Sequence, residues 1–222
     1  MPLQMALDKI LFGEHQEQVN SAPIFRIYYS SEPWCSVGYA AEKSADYALN
    51  ASKHNLKQIP VCRRPTGGGT VIHGQDVIFS ICARKQDDSE KFDSLEISYK
   101  HLHEAVRLAF RKLEIQTDFY TNEKLVVGRD CFLNPVETDL RFAGKKIAGG
   151  AQKRSGDFFL HEESIQLPQG IRPEDLEQKL IESFAEYFGV EIIREAIDPR
   201  ILSDAYRLAP DCLIRDSYTQ DA

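Results

Sequence analysis

The sequence predicts an α+β fold, in which helices cover a mixed, mainly antiparallel sheet. Several short segments rich in β-branched and aromatic residues follow one another between turn residues, as strands do. A few longer segments instead have apolar residues at helical spacing. The 222 residues are enough for one large core. We therefore expect one domain over residues 1–190, with a short tail over 191–222 packed on it.

The first part of the chain is predicted to begin with a helix and to continue mainly as strands. Leu3, Leu7, Ile10 and Leu11 recur at helical spacing, and a Ser-Ser-Glu-Pro turn separates the next two apolar segments. The predicted elements are a helix over 3–17, strands over Phe25–Tyr29 and Trp34–Tyr39, a helix over Ala45–Asn55, a strand over Gln58–Cys62 leading into a glycine-rich loop, a strand from Thr70 broken at His73–Gln75, and Asp76–Ala83 completing a hairpin on the far side of that loop.

The second part is predicted to alternate between helices and strands. Six apolar residues between Leu102 and Leu113 form one helical face, and Pro173 and Gly189 suit the first turn and the end of another helix. The predicted elements are a charged loop over Lys85–Asp93, the helix around 102–113, strands over Val136–Phe142 and Lys146–Gln152 flanking a tight turn at Ala143–Gly144, a strand over Phe158–Leu167, a helix over Pro173–Phe188, and a half-helical tail.

Composition excludes several classes of protein. The formal net charge of −7 argues against nucleic-acid binding. No apolar stretch approaches the ~18 residues that cross a bilayer, and the N-terminus does not resemble a signal peptide, so we expect a cytoplasmic protein without membrane contact. Five cysteines without Cys-x-x-Cys spacing predict neither a zinc site nor disulfides. The basic doublets Arg63–Arg64, Lys145–Lys146 and Lys153–Arg154 suit an anionic substrate or an acidic partner, although solvated strand ends are the plainer interpretation.

The glycine-rich loop is the most informative segment. Gly67, Gly68 and Gly69 follow the two arginines of an Arg-Arg-Pro-Thr sequence. Such a run suits positive φ angles, or a ligand that approaches main-chain N–H groups without a Cβ in the way. It is neither a Walker A loop nor a dinucleotide fingerprint, because a strand follows it and the spacing differs. The alternatives are a hairpin turn and a loop that closes on an anionic or acyl-nucleotide ligand.

A second segment, combined with the glycine-rich loop, gives a pattern specific enough to indicate a family. Between Cys131 and Gln152 the chain contains Lys146-Ile-Ala-Gly-Gly-Ala, an ammonium beside small residues. Together with Arg-Arg-x-Thr-Gly-Gly-Gly-x-Val-x-His upstream, this segment resembles the lipoate–protein ligase A, biotin ligase and octanoyltransferase family. The Met-Ala-Leu-Asp sequence from Met5 and the Ser-Val-Gly-Tyr sequence from Ser36 belong to the resemblance, which covers roughly residues 3–190.

The resemblance implies a sheet of about seven strands and attachment of a lipoyl or octanoyl group to a lysine of a carrier domain. Ligases of the family activate a free acid with ATP and Mg²⁺ as an acyl-adenylate. Transferases take the acyl group from acyl carrier protein or from a lipoyl domain through an enzyme thioester. The acceptor would be a lipoyl domain or a protein like the glycine-cleavage H protein.

Residue matching to the family gives candidate site residues. Arg64 and the triple glycine would line the region of the acyl carbonyl or phosphate, and His73 would close it. Lys146 would hold the substrate carbonyl or carboxylate, with Asp139 at the family's acidic position. The facing wall would consist of Gly149, Gly150, Ala151 and Gln152.

Cys131 helps to distinguish the transferases of the family from its ATP-dependent ligases. Its Cys-Phe-x-x-Pro context resembles that of the nucleophilic cysteine in octanoyltransferases and lipoyl-amidotransferases. Thioester exchange conserves acyl-transfer potential without ATP, and Lys146 nearby would lower the pKa of the thiol. A buried cysteine without a role is the alternative. We therefore hold three hypotheses: an acyltransferase acting through Cys131, an ATP-dependent lipoate ligase, and a non-catalytic acyl-binding relative.

One departure from the family follows Leu160. The family has His-Gly where this chain has Glu162–Glu163. Two carboxylates beside the pocket would repel adenylate phosphates by ~1 kcal/mol or more for each close pair, which disfavours the ATP branch. His161 is displaced by one residue, and a one-residue slip turns a strand side chain to the opposite face. His101 and His103 are two residues apart and cannot share a helix face.

Overall fold

The computed structural model describes residues 1–18, 21–29, 32–40, 59–120 and 136–214. The helix predicted over Ala45–Asn55 and the candidate nucleophile Cys131 lie outside these residues.

The described residues form four α-helices and nine strands, with a 3₁₀ turn at Lys85–Asp87. In chain order they are α1 (Pro2–Glu17), β1 (Ile24–Tyr29), β2 (Trp34–Val37), β3 (Val61–Arg63), β4 (Thr70–His73), β5 (Asp76–Arg84), α2 (Leu95–Lys112), β6 (Asp118–Phe119), β7 (Leu140–Phe142), β8 (Lys145–Ser155), β9 (Phe158–Gln166), α3 (Pro173–Phe188) and α4 (Pro199–Cys212).

The strands form two sheets. A six-stranded antiparallel sheet has the order β1-β5-β9-β8-β7-β6, and a three-stranded sheet has the order β3-β2-β4. The only parallel pair in the described part of the chain joins β2 to β3. This arrangement confirms the predicted α+β class with a mixed, mainly antiparallel architecture. It differs from the expected single sheet of about seven strands.

The predicted hairpin around the glycine-rich loop is wrong. β4 pairs with β2 in the small sheet, whereas β5 pairs with β1 and β9 in the large one. The chain changes sheets at Gly74, whose φ of 150° is one that residues with a Cβ rarely adopt. The Gly74 N–H donates to Asp76 Oδ1 at 3.0 Å, which stabilises the corner. The break seen in the sequence at His73–Gln75 is therefore a change of sheet and not a turn back onto the same strand.

The large sheet separates two apolar cores. On one face, alternate residues of β5 and β9, such as Phe79 and Phe159, pack against α2 and α3. The predicted apolar face of α2 lies here, with every residue from Leu102 to Phe110 on that face fully buried. On the other face, Ile78, Cys82 and Leu160 pack against α1. Each fully buried large side chain contributes about 1.5–3 kcal/mol.

The ends of the helices follow from local sequence. Ser94 accepts a hydrogen bond from the Ile97 N–H at the start of α2. Helix α3 begins at Pro173 and ends at Gly189, whose φ of 66° and N–H bond to Ala185 O are those of a left-handed cap. The tail contains α4, which packs against α1. Beyond it, the Ile214 N–H donates to Val61 O at 2.9 Å.

One turn of the large sheet also follows the prediction. Ala143 and Gly144, with φ of 50° and 76°, form the two-residue turn between β7 and β8. This turn brings Lys146 opposite Arg141 at the start of a long strand. None of the helices in the described ranges combines the length and the hydropathy of a membrane span.

Candidate active site

A cavity of about 180 Å³ lies between the small sheet, the glycine-rich loop and the β8–β9 face of the large sheet. Most of the candidate residues border it. Those lining it are Arg64, Gly68, His73, Asp139, Lys146, Gly149, Gly150 and Ala151, together with apolar residues that include Met5, Tyr28, Trp34, Val71 and Ile78. A larger cavity, of about 620 Å³, lies at the C-terminal end of α2 and contains none of the candidates.

Lys146 is a buried cation in this cavity. Its side chain is 5% exposed, and its Nζ lies 2.6 Å from Oδ2 of Asp139, which is fully buried. The Tyr99 hydroxyl donates to Asp139 Oδ1 at 2.5 Å, and the Val136 N–H donates to Oδ2 at 2.7 Å. The carboxylate is thus held by three donors from three segments, and it fixes the ammonium in turn.

Glycine at position 149 makes room for that ammonium. A Cβ built on Gly149 would lie 2.3 Å from Lys146 Nζ and 2.2 Å from its Cε. The small residues after the lysine therefore have a steric function: they let the cation lie flat against β8.

We expect Gly149→Ala to lower acyl transfer by about 10- to 100-fold while the protein still folds, because a 1 Å displacement of a positioning group costs rate at about this scale. The measurement is the steady-state transfer rate together with the melting temperature. Gly13→Ala is the matched control, since no atom lies within 4 Å of a Cβ there. Transfer at the wild-type rate in Gly149→Ala would show that the ammonium need not occupy this position.

Arg64 stabilises the glycine-rich loop through hydrogen bonds to its backbone. Its guanidinium donates to the carbonyl oxygens of Gly67, at 3.0 and 2.7 Å, and of Gly69, at 2.9 Å. The loop backbone also passes so close to Gly38 that a Cβ there would lie 2.3 Å from Gly68 O. Gly68, with φ of 87°, borders the cavity. Gly67 and Gly69 do not line the cavity themselves; their carbonyl oxygens accept hydrogen bonds from Arg64, which does.

His73 lies at the centre of a hydrogen-bonded series of polar side chains. Its Nδ1 is 2.5 Å from Asp76 Oδ2, its Nε2 is 2.8 Å from Ser36 Oγ, and its ring stacks on Trp34 with centroids 4.0 Å apart. Burial alone would raise the pKa of Asp76, but hydrogen bonds from His73, Ser164 and the Gly74 N–H lower it below its ordinary value. His73 lines one side of the cavity.

Glu162 and Glu163 point to opposite faces of β9. Glu163 accepts from His103 Nε2 and His161 Nε2, both at 2.9 Å. Although burial would raise the pKa of Glu163, His103 and His161 lower it to about 2. The same pairing outweighs burial and raises the pKa of His103, so an imidazolium and a carboxylate are paired in the core. Gly150 provides the space, because a Cβ there would lie 2.3 Å from Glu163 Oε2.

Glu162 enters the cavity on the other face. It accepts a hydrogen bond from the Thr66 hydroxyl at the start of the loop. Burial, followed by repulsion from Asp8, raises its pKa to about 8. Both glutamates line the cavity, but they are not a pair of free anions: Glu163 is paired with the His103 imidazolium, and Glu162 is largely protonated at neutral pH.

Two residues that the sequence singled out have other surroundings, and a third is not described. Gln152 lies on the α2 side of β8, where its side chain contacts Ser98 and His161. Of the basic doublets, Arg64 and Lys146 border the cavity, whereas Arg154 donates to Phe92 O and Ser94 O at the start of α2. Cys131 lies outside the described residues.

Sequence reasoning missed Ser36, Asp76, Tyr99 and His103 as site residues. A signal existed for Ser36, within the Ser-Val-Gly-Tyr segment, and for Asp76, three residues after His73. Tyr99 gave none beyond its position on the buried face of a helix. His101 and His103 point in different directions, as expected, and His101 contacts Tyr187. The partner of His103 is Glu163, which lies 60 residues later in the chain and could not be identified from local sequence.

Comparison with known proteins gives consistent relatives. The lipoyl protein ligase A/B catalytic domain family matches residues 2–185. Octanoyltransferase LipM of Bacillus subtilis is 30% identical over 227 residues, covering 98% of this chain and 76% of that protein. LipM of Moorella thermoacetica is 28% identical over 211 residues, with 92% and 71% covered, and LipM of Carboxydothermus hydrogenoformans is 30% identical over 170 residues, with 75% and 61% covered. This chain thus spans about three fifths to three quarters of these relatives' lengths.

Solved structures share the fold. Lipoate-protein ligase A bound with ATP superimposes with a TM-score of 0.70 at 20% identity, covering 94% of this chain and 89% of that chain. A bi-partite lipoate protein ligase from Thermoplasma acidophilum, solved in a study of that enzyme and its E2 lipoyl domain, gives 0.66 at 21% identity, with 94% and 87% covered.

Proposed function

The chain belongs to the lipoyl protein ligase A/B catalytic domain family, and we propose that it is an acyltransferase of protein lipoylation. It would transfer an octanoyl or lipoyl group, through a thioester on Cys131, to a specific lysine of a carrier domain. The matched relatives named octanoyltransferase support the transferase branch.

The observation that carries the proposal is the buried Lys146 ammonium beside an apolar cavity. Oriented by Asp139 and Tyr99, it can donate to an acyl carbonyl oxygen and stabilise the negative charge that develops there. The apolar side chains that line the cavity, among them Met5, Val71 and Ile78, suit the hydrocarbon chain behind the carbonyl. A preoriented cation in a water-poor cavity acts more strongly than the same cation in solvent.

The reaction has two steps. With acyl carrier protein as donor, the Cys131 thiolate attacks the donor thioester, a new C–S bond forms, and the donor sulfur leaves as a thiolate that takes up a proton. With a lipoyl domain as donor, the thiolate attacks the amide, and the C–N bond breaks as the lysine nitrogen takes up a proton and leaves as an amine. The acceptor lysine then attacks this acyl-enzyme, the amide C–N bond forms, and the Cys131 sulfur leaves. Because thioester exchange conserves acyl-transfer potential, neither ATP nor another cofactor is consumed.

The proposed partners follow from this chemistry. The donor is acyl carrier protein or a lipoyl-domain protein. The acceptor is a lipoyl domain or a protein like the glycine-cleavage H protein, in line with the E2 lipoyl domain named for the structural relative. A reactive thiol suits a reducing compartment, so we retain the cytoplasm as the proposed location.

An ATP-dependent lipoate ligase using Mg²⁺ is the second candidate. One observation favours keeping it: Glu163 is paired with the His103 imidazolium, and burial keeps Glu162 largely protonated. The electrostatic argument against a bound phosphate is therefore weaker than the sequence suggested.

The test is a transfer assay with octanoyl-acyl carrier protein and a lipoyl domain in the absence of ATP. We expect the lipoyl domain to gain one octanoyl group, read by intact mass. Pyrophosphate release that requires both lipoate and ATP, without transfer from the carrier, would establish the ligase instead. Binding of octanoate without turnover under either condition would establish a non-catalytic relative.

A further inference from the structure

Glu162 is a buried carboxylic acid in the cavity to which neither step above gives a role. The residue is 6% exposed, and its Oε2 accepts from the Thr66 hydroxyl. Its Oε1 is buried and has no hydrogen-bond partner among the residues that the structure describes. Buried carboxylate oxygens nearly always have a partner, because an unpaired one bears the full cost of its desolvation. An unpaired oxygen in a binding cavity therefore points to a donor on the bound substrate.

The strand register places Glu162 near the reacting end of the substrate. In the β8–β9 pair, Glu162 lies opposite Ala151 and Ser164 lies opposite Gly149. Glu162 and Ser164 share one face of β9, two residues or about 7 Å apart along the strand. Gly149 is the residue whose missing side chain accommodates Lys146 Nζ. Thr66, the other neighbour of Glu162, immediately precedes the triple glycine.

The electrostatic surroundings suit proton transfer near neutral pH. Burial, then the Asp8 carboxylate, raises the pKa of Glu162 to about 8, while Thr66 and Arg64 oppose that rise. Tyr28, Cys82 and Cys212 also interact electrostatically with Glu162. The titratable residues His73, Tyr99, Asp139, Lys146 and Glu163 line the same cavity. A base is most effective when its pKa lies close to the working pH, because it is then partly deprotonated and still basic.

The second step of the proposed reaction needs a base. The acceptor lysine has an ordinary pKa of about 10.4 and is an ammonium at neutral pH. It must lose two protons to form an amide, and the first must leave before the nitrogen can attack. Lys146 is paired as a cation with Asp139 and has no lone pair for this purpose. His73 already binds Asp76 on one nitrogen and Ser36 on the other.

We propose that Glu162 is the general base that accepts a proton from the ammonium of the acceptor lysine and so frees its nitrogen to attack the acyl-enzyme. The inference rests on the proposed function. Glu162 Oε1 takes the first proton, the neutral nitrogen attacks, the C–N bond forms and the C–S bond of the acyl-enzyme breaks. The second proton of the nitrogen leaves with the Cys131 sulfur as a thiol, and Glu162 later returns its proton to solvent.

The test compares how fast one acyl-enzyme passes its octanoyl group to two different nucleophiles. Octanoyl-enzyme is prepared from the wild type and from Glu162→Gln, which keeps the size of the side chain and an acceptor for Thr66. Each is mixed either with a lipoyl domain or with hydroxylamine, whose amine is already neutral. We expect transfer to the lysine to fall about 100-fold in the variant, the scale of general-base catalysis. Release by hydroxylamine should change by less than about threefold, because that nucleophile needs no base.

The pH dependence gives a second readout that needs no variant. In the wild type, the single-turnover rate of transfer to lysine should rise with pH and level off above about 8, where Glu162 is ionised. In Glu162→Gln the rate should continue to rise toward the pKa of the free lysine. A merely structural role would lower the rate without changing the shape of this profile. Glu191→Gln, at an exposed position, is the control and should behave like the wild type.

Three outcomes overturn the inference. They are a parallel fall with both acceptors, a fall with lysine of less than tenfold, and a wild-type rate that shows no levelling near pH 8. If Glu162→Gln forms no acyl-enzyme, the wild-type profile alone decides. If the wild type forms no octanoyl-enzyme, the proposed function itself fails, and the role of Glu162 fails with it.

Discussion

Replacing Lys146 by methionine is expected to lower octanoyl transfer by about two to three orders of magnitude, the usual effect of removing one preoriented donor to a developing oxyanion. Methionine keeps most of the length of the side chain and removes the charge that lies 2.6 Å from Asp139. The measurement is the single-turnover rate of acyl-enzyme formation and of transfer, each at saturating substrate. Both steps should slow, since each develops negative charge on the same carbonyl oxygen.

Lys145→Met is the matched control, because Lys145 is the exposed neighbour in the same doublet. It should keep the wild-type rate. Removing Lys146 alone also leaves the Asp139 carboxylate buried without its cation, which can cost several kcal/mol of stability. The double variant Lys146→Met/Asp139→Asn separates the effects: it should regain stability without regaining activity. Recovery of activity in the double variant would contradict the role of the ammonium.

Replacing Glu163 by glutamine is expected to lower the free energy of unfolding by about 3–5 kcal/mol, the usual cost of breaking a buried ion pair from one side. Glutamine cannot neutralise the His103 imidazolium, and its amide cannot accept from both histidines as the carboxylate does. The measurement is chemical denaturation near neutral pH. Glu182→Gln, which loses a surface pair with Lys179, should cost much less stability.

The pH dependence of stability provides a further check on Glu163. Its pKa is about 2 in the folded protein, against an ordinary value of 4.5. The stabilisation that it contributes is therefore complete above about pH 4.5 and is lost as the pH falls toward 2. Between about pH 4.5 and 2, the difference in free energy of unfolding between the wild type and Glu163→Gln should therefore shrink. A constant difference between the two proteins from pH 7 to about 2.5 would show that Glu163 is not ionised in the fold.

Much of the fold followed from the sequence, because local patterns determine local elements. Apolar spacing predicted α1 and α2, and Pro173 with Gly189 fixed both ends of α3. Strand pairing is a different matter. The neighbours of β5 are β1 and β9, and β9 comes more than seventy residues later in the chain. No local signal distinguishes that pairing from a hairpin around the triple glycine, so the change of sheet at Gly74 was missed.

The candidate site divides in the same way. Lys146, Asp139 and the glycine-rich loop were identified through their resemblance to a family, and the fold brings Lys146, Asp139 and Gly68 to one cavity. The partners that give those residues their chemistry come from distant segments. Tyr99 on α2 orients Asp139, and His103 neutralises Glu163. The sequence marked Glu162 and Glu163 as a departure from the family, but only the alternation along β9 shows that the two carboxylates have separate surroundings.

The central claim is that an acyl group passes through the Cys131 sulfur. The most direct measurement is the intact mass and peptide map of the protein after brief incubation with octanoyl-acyl carrier protein, without ATP and without acceptor. We predict one added octanoyl group, located on the peptide that contains Cys131, removed by neutral hydroxylamine and absent from Cys131→Ser. Full ATP-free transfer to a lipoyl domain by Cys131→Ser would contradict the account.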